Sequence, residues 1–138
     1  MPAGGTLYVF GQGSNGALGL GNTTNYSSPK QLGSANAWKQ VGGGFNSSVG
    51  IKTDGTLWSW GVNTYGQLGI GGGAAGSGGI ASYSSPVQVQ FTTWSSLAVS
   101  SSDDVYTLNG AIRSDGTLWM WGSGANGRLG LGNTTNYY

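Results

Sequence analysis

GTLYVFGQGSNGALGLGNTTNY, residues 5–26, returns at residues 116–137 as GTLWMWGSGANGRLGLGNTTNY, with 16 of 22 positions identical. A third copy opens at Gly55-Thr56-Leu57. A chain that repeats itself at this period is built from one supersecondary unit stacked on copies of itself. Residues 1–138 therefore read as one repeat domain with units 5–54, 55–115 and a partial 116–138. The middle unit is 11 residues longer. Ser27-Ser28-Pro29 aligns with Ser84-Ser85-Pro86 and Trp38 with Trp94, which puts the extra length in the Gly-rich run 71–79 and around Ser100–Asp104. Insertions confined to Gly/Ser stretches mark surface loops, where added length costs little.

Within the unit the period is that of strands. Ile51-Lys52-Thr53-Asp54-Gly55-Thr56-Leu57-Trp58-Ser59-Trp60 reads as a β-hairpin, with Asp54-Gly55 as a two-residue type I′ turn needing positive φ at both central positions. Ala111–Trp121 repeats it around Asp115-Gly116, and Trp38–Val41 and Trp94–Val99 read as further strands. No segment sustains a 3.6-residue period, so almost no helix is expected. Several short strands per unit of about 50 residues suit a propeller blade.

The run Gly-Thr-Leu-Trp-x-Trp-Gly-x-Asn-x-x-Gly-Gln-Leu-Gly at 55–69, with Ser84-Ser85-Pro86 and Trp94 after it, resembles the regulator of chromosome condensation repeat. The resemblance covers about two and a third repeats. It implies an all-β fold of blades with four antiparallel strands, usually seven in a ring. A closed ring needs roughly three times this length. The expectation is an incomplete ring: an open arc, or one completed by other subunits or by further sequence.

Chemistry is sparse. The chain has no Cys and no His, and its four acidic residues are all Asp. General acid–base catalysis needs a group that titrates near neutrality, and a triad needs a His. No enzyme, cofactor or metal site is expected. Asp103-Asp104 sits in a Ser-rich insertion and reads as a solvated loop, far short of a calcium loop. Gly11-Gln12-Gly13-Ser14-Asn15-Gly16 and 122–127 satisfy G-x-G-x-x-G. Leu-Gly-Leu-Gly follows where a nucleotide fold needs a helix, and Asn63 fills the middle-glycine slot of the second copy. That slot is read as selecting positive φ, not a phosphate. Asn22-Thr23-Thr24 and its relatives match a glycosylation tripeptide but read as turn residues.

A net charge of +1 gives no case for nucleic acid or an anionic membrane, and no apolar run reaches the roughly 18 residues of a span. Met1–Gly5 has no basic start and no apolar stretch, so no secretion signal is expected, which leaves a cytoplasmic or virion-surface location. Trp58, Trp60, Trp119 and Trp121 are expected to pack between blades. The loop residues Tyr26, Tyr65, Tyr83, Tyr137 and Tyr138 form a candidate interaction surface for protein or sugar. The functional expectation is a non-catalytic binding scaffold that meets a protein partner or itself. Asn/Thr/Gly/Ser-rich arrays of this kind resemble those carried by marine bacteriophages, which makes virion decoration or a fibre the most concrete version. The alternatives are a regulator of small GTPases by nucleotide exchange, as the family resemblance implies for some members, and a sugar-binding propeller.

Overall fold

The computed structural model describes residues 4–34, 36–71, 82–98 and 107–137. Tyr138, Asp103, Asp104 and most of the Gly-rich insertion lie outside them. Nine strands run in order among the described residues: β1 (Tyr8–Gly11), β2 (Tyr26–Gln31), β3 (Trp38–Gly44), β4 (Ser47–Lys52), β5 (Leu57–Val62), β6 (Ser82–Gln88), β7 (Trp94–Leu97), β8 (Leu108–Arg113) and β9 (Leu118–Gly122). Among the described residues, helix is limited to single 3₁₀ turns at Ser14–Gly16 and Ala125–Gly127.

The strands form three antiparallel sheets, β1-β2, β3-β4-β5-β6 and β7-β8-β9. The four-stranded middle sheet is the whole blade. Gly122 bridges Tyr137 as Gly11 pairs with Tyr26, so Tyr137 stands where the third sheet's fourth strand begins. Sequence unit and sheet are out of phase. Unit 5–54 gives β1 and β2 to one sheet and β3 and β4 to the next, and unit 55–115 likewise gives β5 and β6 to one and β7 and β8 to the next, so each of these two units staples two blades covalently. The result is an all-β arc of propeller-type sheets, not a closed barrel.

Two apolar cores lie between successive sheets. Leu32, Trp38 and Trp60 form the first, with Leu7, Val9, Leu20 and Trp58 packed against them. Val49, Ile51, Leu57, Val89, Trp94, Ala111 and Trp121 form the second. The first strands of neighbouring sheets are also tied by polar contacts: Lys39 Nζ donates to the Ser95 carbonyl at 2.7 Å, and Leu97 N–H to Gln40 Oε1 at 2.9 Å.

Two local expectations need correction. The hairpin loop at Asp54-Gly55 has three residues. Lys52 N–H donates to the Thr56 carbonyl at 2.9 Å and Gly55 N–H to the Lys52 carbonyl at 3.0 Å, and positive φ is confined to Gly55 (+81°). This is a type I turn followed by a left-handed glycine, which spares Asp54 the left-handed region. The middle-glycine slot does not select positive φ either: Gly13 has φ −98° and Gly124 −87°. Glycine is needed there because a Cβ would collide with the carbonyl of Thr24 or Thr135 as the chain returns over the slot. The same return lets Asn25 and Asn136 Oδ1 accept from the Gly13 and Gly124 amides, each at 2.9 Å. Asn63 fits the slot in the middle unit because its side chain turns inward and accepts from Leu68 N–H at 3.2 Å.

Candidate functional site

The tryptophans divide into two pairs with different surroundings. Trp60 is 2 % exposed and its Nε1–H donates to the Ala17 carbonyl at 2.9 Å, which also accepts from Ser48 Oγ at 3.1 Å. Trp121 Nε1–H donates to the Gln67 carbonyl at 3.0 Å, which also accepts from Asn109 Nδ2 at 2.7 Å. Residues 17 and 67 are equivalent positions of successive units, so each seam is a two-donor clamp on one backbone carbonyl. The indole lies flat enough on Gly19 or Gly69 that a Cβ there would sit 2.9 or 2.6 Å from the ring.

Trp58 and Trp119 belong to the other pair, held on their own hairpins. Trp58 Nε1–H donates to Thr56 Oγ1 at 2.8 Å, and that hydroxyl donates to Asp54 Oδ1 at 2.6 Å. Trp119, Thr117 and Asp115 repeat the relay at 3.0 and 2.6 Å. The Asp-Gly-Thr-x-Trp motif is thus a device that fixes one indole edge. In the first unit Gly4 replaces the aspartate and Tyr8 the tryptophan, so both ends of the relay change together. A cation covers each of these rings: Lys52 Nζ lies 4.1 Å from the Trp58 centroid and the Arg113 guanidinium 5.8 Å from that of Trp119.

The Thr56 hydroxyl and amide hold the Asp54 carboxyl below its usual value of 3.8, burial opposes this weakly, and Lys52 adds to the lowering. Thr117 does the same for Asp115. A carboxylate depressed in the folded state adds stability that is present above its unfolded value and lost as pH falls through its folded one. Thr56→Val is therefore expected to destabilise at neutral pH by an amount that shrinks as pH drops below about 3.8. Urea midpoints of both proteins at pH 6 and pH 2.5 check this; a difference that stays constant would be the wrong outcome.

The two inter-sheet grooves differ. The first, about 500 Å³, runs past Leu32, Trp38, Lys52, Trp58 and Pro86. The second, about 220 Å³, is lined by Phe91, Trp94, Trp119, Trp121 and Tyr137. Phe91 is its unusual member. It has φ +70°, is 51 % exposed, and stacks tilted on Trp119 at 5.9 Å between centroids. Arg113 lies 5.1 Å from the Phe91 ring and donates from Nε and Nη2 to Thr93 Oγ1 at 3.1 and 3.0 Å. Phe91 and Trp119, 51 % and 43 % exposed, form one outward aromatic platform edged by this cation.

Three of the candidate tyrosines fall one per sheet. Tyr26, Tyr83 and Tyr137 each face a left-handed glycine, Gly11, Gly61 and Gly122, at the start of a fourth strand. Tyr26 and Tyr137 accept at their hydroxyls from Asn22 and Asn133 Nδ2 at 3.4 and 3.3 Å, within their own loops. Asn22 and Asn133 Oδ1 also accept from Thr24 and Thr135 amides, which makes these tripeptides turn devices in the structure. Tyr65 lines a separate cavity with Phe45 and Asn15. Among the described candidate tyrosines, only Tyr137 reaches the aromatic platform's groove. Lys52, Arg113 and Phe91 were not among the expected site residues. The two cations were within reach, since both stand two residues before the turn Asp. Phe91 carried no repeated signal.

A family model described as "Regulator of chromosome condensation (RCC1) repeat" matches residues 4–51, 54–104 and 115–138, and a second model of that description matches 38–67. The ultraviolet-B receptor UVR8 of Arabidopsis thaliana is 31% identical over 134 residues, 96% of this chain and 28% of the receptor. The human E3 ubiquitin-protein ligase HERC2 is 30% identical over 136 residues, 96% of this chain and 3% of the ligase. Among solved structures, Prp20p of Saccharomyces cerevisiae superposes with a TM-score of 0.78 at 21% identity, covering 95% of this chain and 32% of that one. The yeast RCC1 (Prp20) bound to Kap60 gives 0.74 at 20% identity, covering 96% and 31%. The chain thus spans less than a third of the length of each of these relatives.

Proposed function

This chain belongs to the regulator of chromosome condensation (RCC1) repeat family, and from that premise we propose that it is a non-catalytic module that binds a protein partner through the Phe91–Trp119–Arg113 platform. The observation that carries this reading is the backbone at Phe91. A bulky residue at φ +70° costs on the order of 1–3 kcal/mol and tends to persist where a function needs it. In the corresponding loop of the first unit, which is one residue longer between Leu32 and Trp38, the left-handed residue is Gly33 at φ +67°. Holding a phenylalanine there keeps its ring half exposed beside an exposed indole. Rigid aromatics next to arginine are the residue types that dominate protein–protein contacts. Among relatives, Prp20p has been characterised for binding Gsp1p and histones and solved with Kap60, all of them proteins. The catalytic repertoire of the sequence, with no His, Cys or Glu, supports holding over reacting.

The most specific version is a subunit displayed on a virion surface, and co-purification with particles tests it. For the platform itself, a benzophenone amino acid at Trp119 is expected to cross-link to a polypeptide of its native extract. Phe91→Asn should weaken that partner about 30-fold or more without lowering stability, because asparagine relieves the left-handed strain that the phenylalanine carries. Stability is read by urea denaturation. A glycan as the sole captured species, or full cross-linking by Phe91→Asn, would overturn the reading.

A further inference from the structure

We propose that the groove between the first and middle sheets is a binding site for a small organic carboxylate with an apolar body. The cation in this groove is Lys52, the last residue of β4. Its Nζ lies 4.1 Å from the centroid of Trp58 and 5.2 Å from that of Trp38, so two indoles fix where the charge sits. Aromatic faces attract an ammonium but leave its directed N–H bonds unmade. No protein acceptor takes those bonds. Among the described residues the Arg113–Asp115 contact is the one ion pair, and none of them accepts from Lys52 Nζ. Asp54, two residues on, is already engaged by Thr56, whose amide and hydroxyl both donate to its Oδ1.

The equivalent cation of the next unit has partners. Arg113 donates from Nε and Nη2 to Thr93 Oγ1, and its Nη1 lies 3.9 Å from Asp115 Oδ2. Position 93 corresponds to Ala37, for the Ala37 carbonyl accepts from Thr53 N–H as the Thr93 carbonyl accepts from Ser114 N–H. Alanine has no hydroxyl to offer Lys52, which leaves the ammonium to a ligand. Gln31 and Ser85 line the groove beside it, and their side chains likewise have no partner among the described residues. Leu20 and Pro86 add apolar wall. At about 500 Å³ the groove falls within the roughly 300–1,000 Å³ usual for small organic ligands. One fixed cation matches one negative charge, which favours a carboxylate over a phosphate dianion. The walls run from Gly19 to Pro86, inside two consecutive units, so the site owes nothing to either end of the chain. It shares no residue with the platform at Phe91 and Trp119, and either proposal can fail alone.

Heteronuclear NMR titration of the whole chain with phenylacetate and with isovalerate, each beside its primary amide, tests the proposal. At least one acid is expected to shift the Trp58 indole N–H signal, assigned by its loss in Trp58→Phe, and to leave that of Trp121 in place. Its amide should bind at least about tenfold more weakly, because the charge-assisted bond to Lys52 is gone. Lys52→Met keeps an apolar stem over the indoles and should erase the difference between acid and amide. Near-ultraviolet circular dichroism confirms folding, and Lys52→Gln serves in place of a misfolded Lys52→Met. Failure of both acids to bind, acids and amides bound equally, an undiminished preference in the Lys52 variant, or a glutamate-bearing peptide bound where the small acids are not would each overturn the proposal.

Discussion

Trp60→Ala is expected to lower the unfolding free energy by about 3–5 kcal/mol, the range for removing a large buried aromatic. The side chain is 2 % exposed, meets Trp38 edge-on at 5.8 Å, and clamps the carbonyl of Ala17 in the preceding unit. Truncation opens a cavity in the smaller of the two inter-sheet cores and separates β1-β2 from the middle sheet. Trp60→Phe keeps most of the apolar volume and loses only the N–H. Ser48 Oγ still serves the Ala17 carbonyl, so that variant should cost nearer about 1 kcal/mol. Trp119→Ala should change stability by less than about 1 kcal/mol, since its ring is 43 % exposed and belongs to its own hairpin. Urea denaturation of the three variants ranks them. Equal losses for Trp60→Ala and Trp119→Ala would mean that the division of the tryptophans into seam and surface is wrong.

That division shows where the sequence could be read and where it could not. The repeat placed the β4-β5 and β8-β9 hairpins, because Asp54-Gly55 and Asp115-Gly116 punctuate β-prone runs and recur at matched positions, but not the β3-β4 hairpin over Phe45-Asn46. It also forecast sheets without helix, and a family whose fold is a propeller. Yet alternation along one strand puts Trp58 and Trp60 on the same face. Their surroundings diverge because Ala17 and Gly19, far away in sequence, receive Trp60, whereas Thr56 and Lys52 of its own hairpin hold Trp58 at the edge of the same core. The phase of the blade was hidden for a related reason. A repeat can be cut at any point, and hydrogen bonding across strands decides where one sheet ends.

Glycine was the harder residue to interpret. A glycine reports that something cannot tolerate a Cβ, without saying whether the obstacle is the backbone's own conformation or a neighbour. At Gly13 and Gly124 the obstacle is a returning carbonyl, visible only when residues 24 and 135 are folded over the slot. Phe91 is the converse. A bulky residue in a left-handed position contradicts local preference, and no reading of propensity would place it there. Conflicts of this kind tend to gather at functional sites, which is why the strain at Phe91 carries the proposed role of the platform.

Gly69→Ala separates the two meanings of glycine by experiment. At φ +64° an L-residue pays roughly 1–2 kcal/mol for the left-handed backbone, and the added Cβ also lies 2.6 Å from Trp121 Nε1. Trp121 is 5 % exposed and tethered to the Gln67 carbonyl, so the ring has little room to retreat, and overpacking adds about 1–3 kcal/mol. The combined loss is expected at about 2–5 kcal/mol. Gly71→Ala is the reference: its φ is +71°, but nothing among the described residues lies within 4 Å of the new Cβ, so only the backbone part should appear. The excess of Gly69→Ala over Gly71→Ala is then the cost of crowding the indole. It should vanish in a Trp121→Ala background, because the collision partner is gone, giving an interaction free energy of about 1–3 kcal/mol between the two sites. Strict additivity in that double-mutant cycle, measured by urea denaturation, would show that the close approach of indole to backbone does not hold neighbouring sheets together.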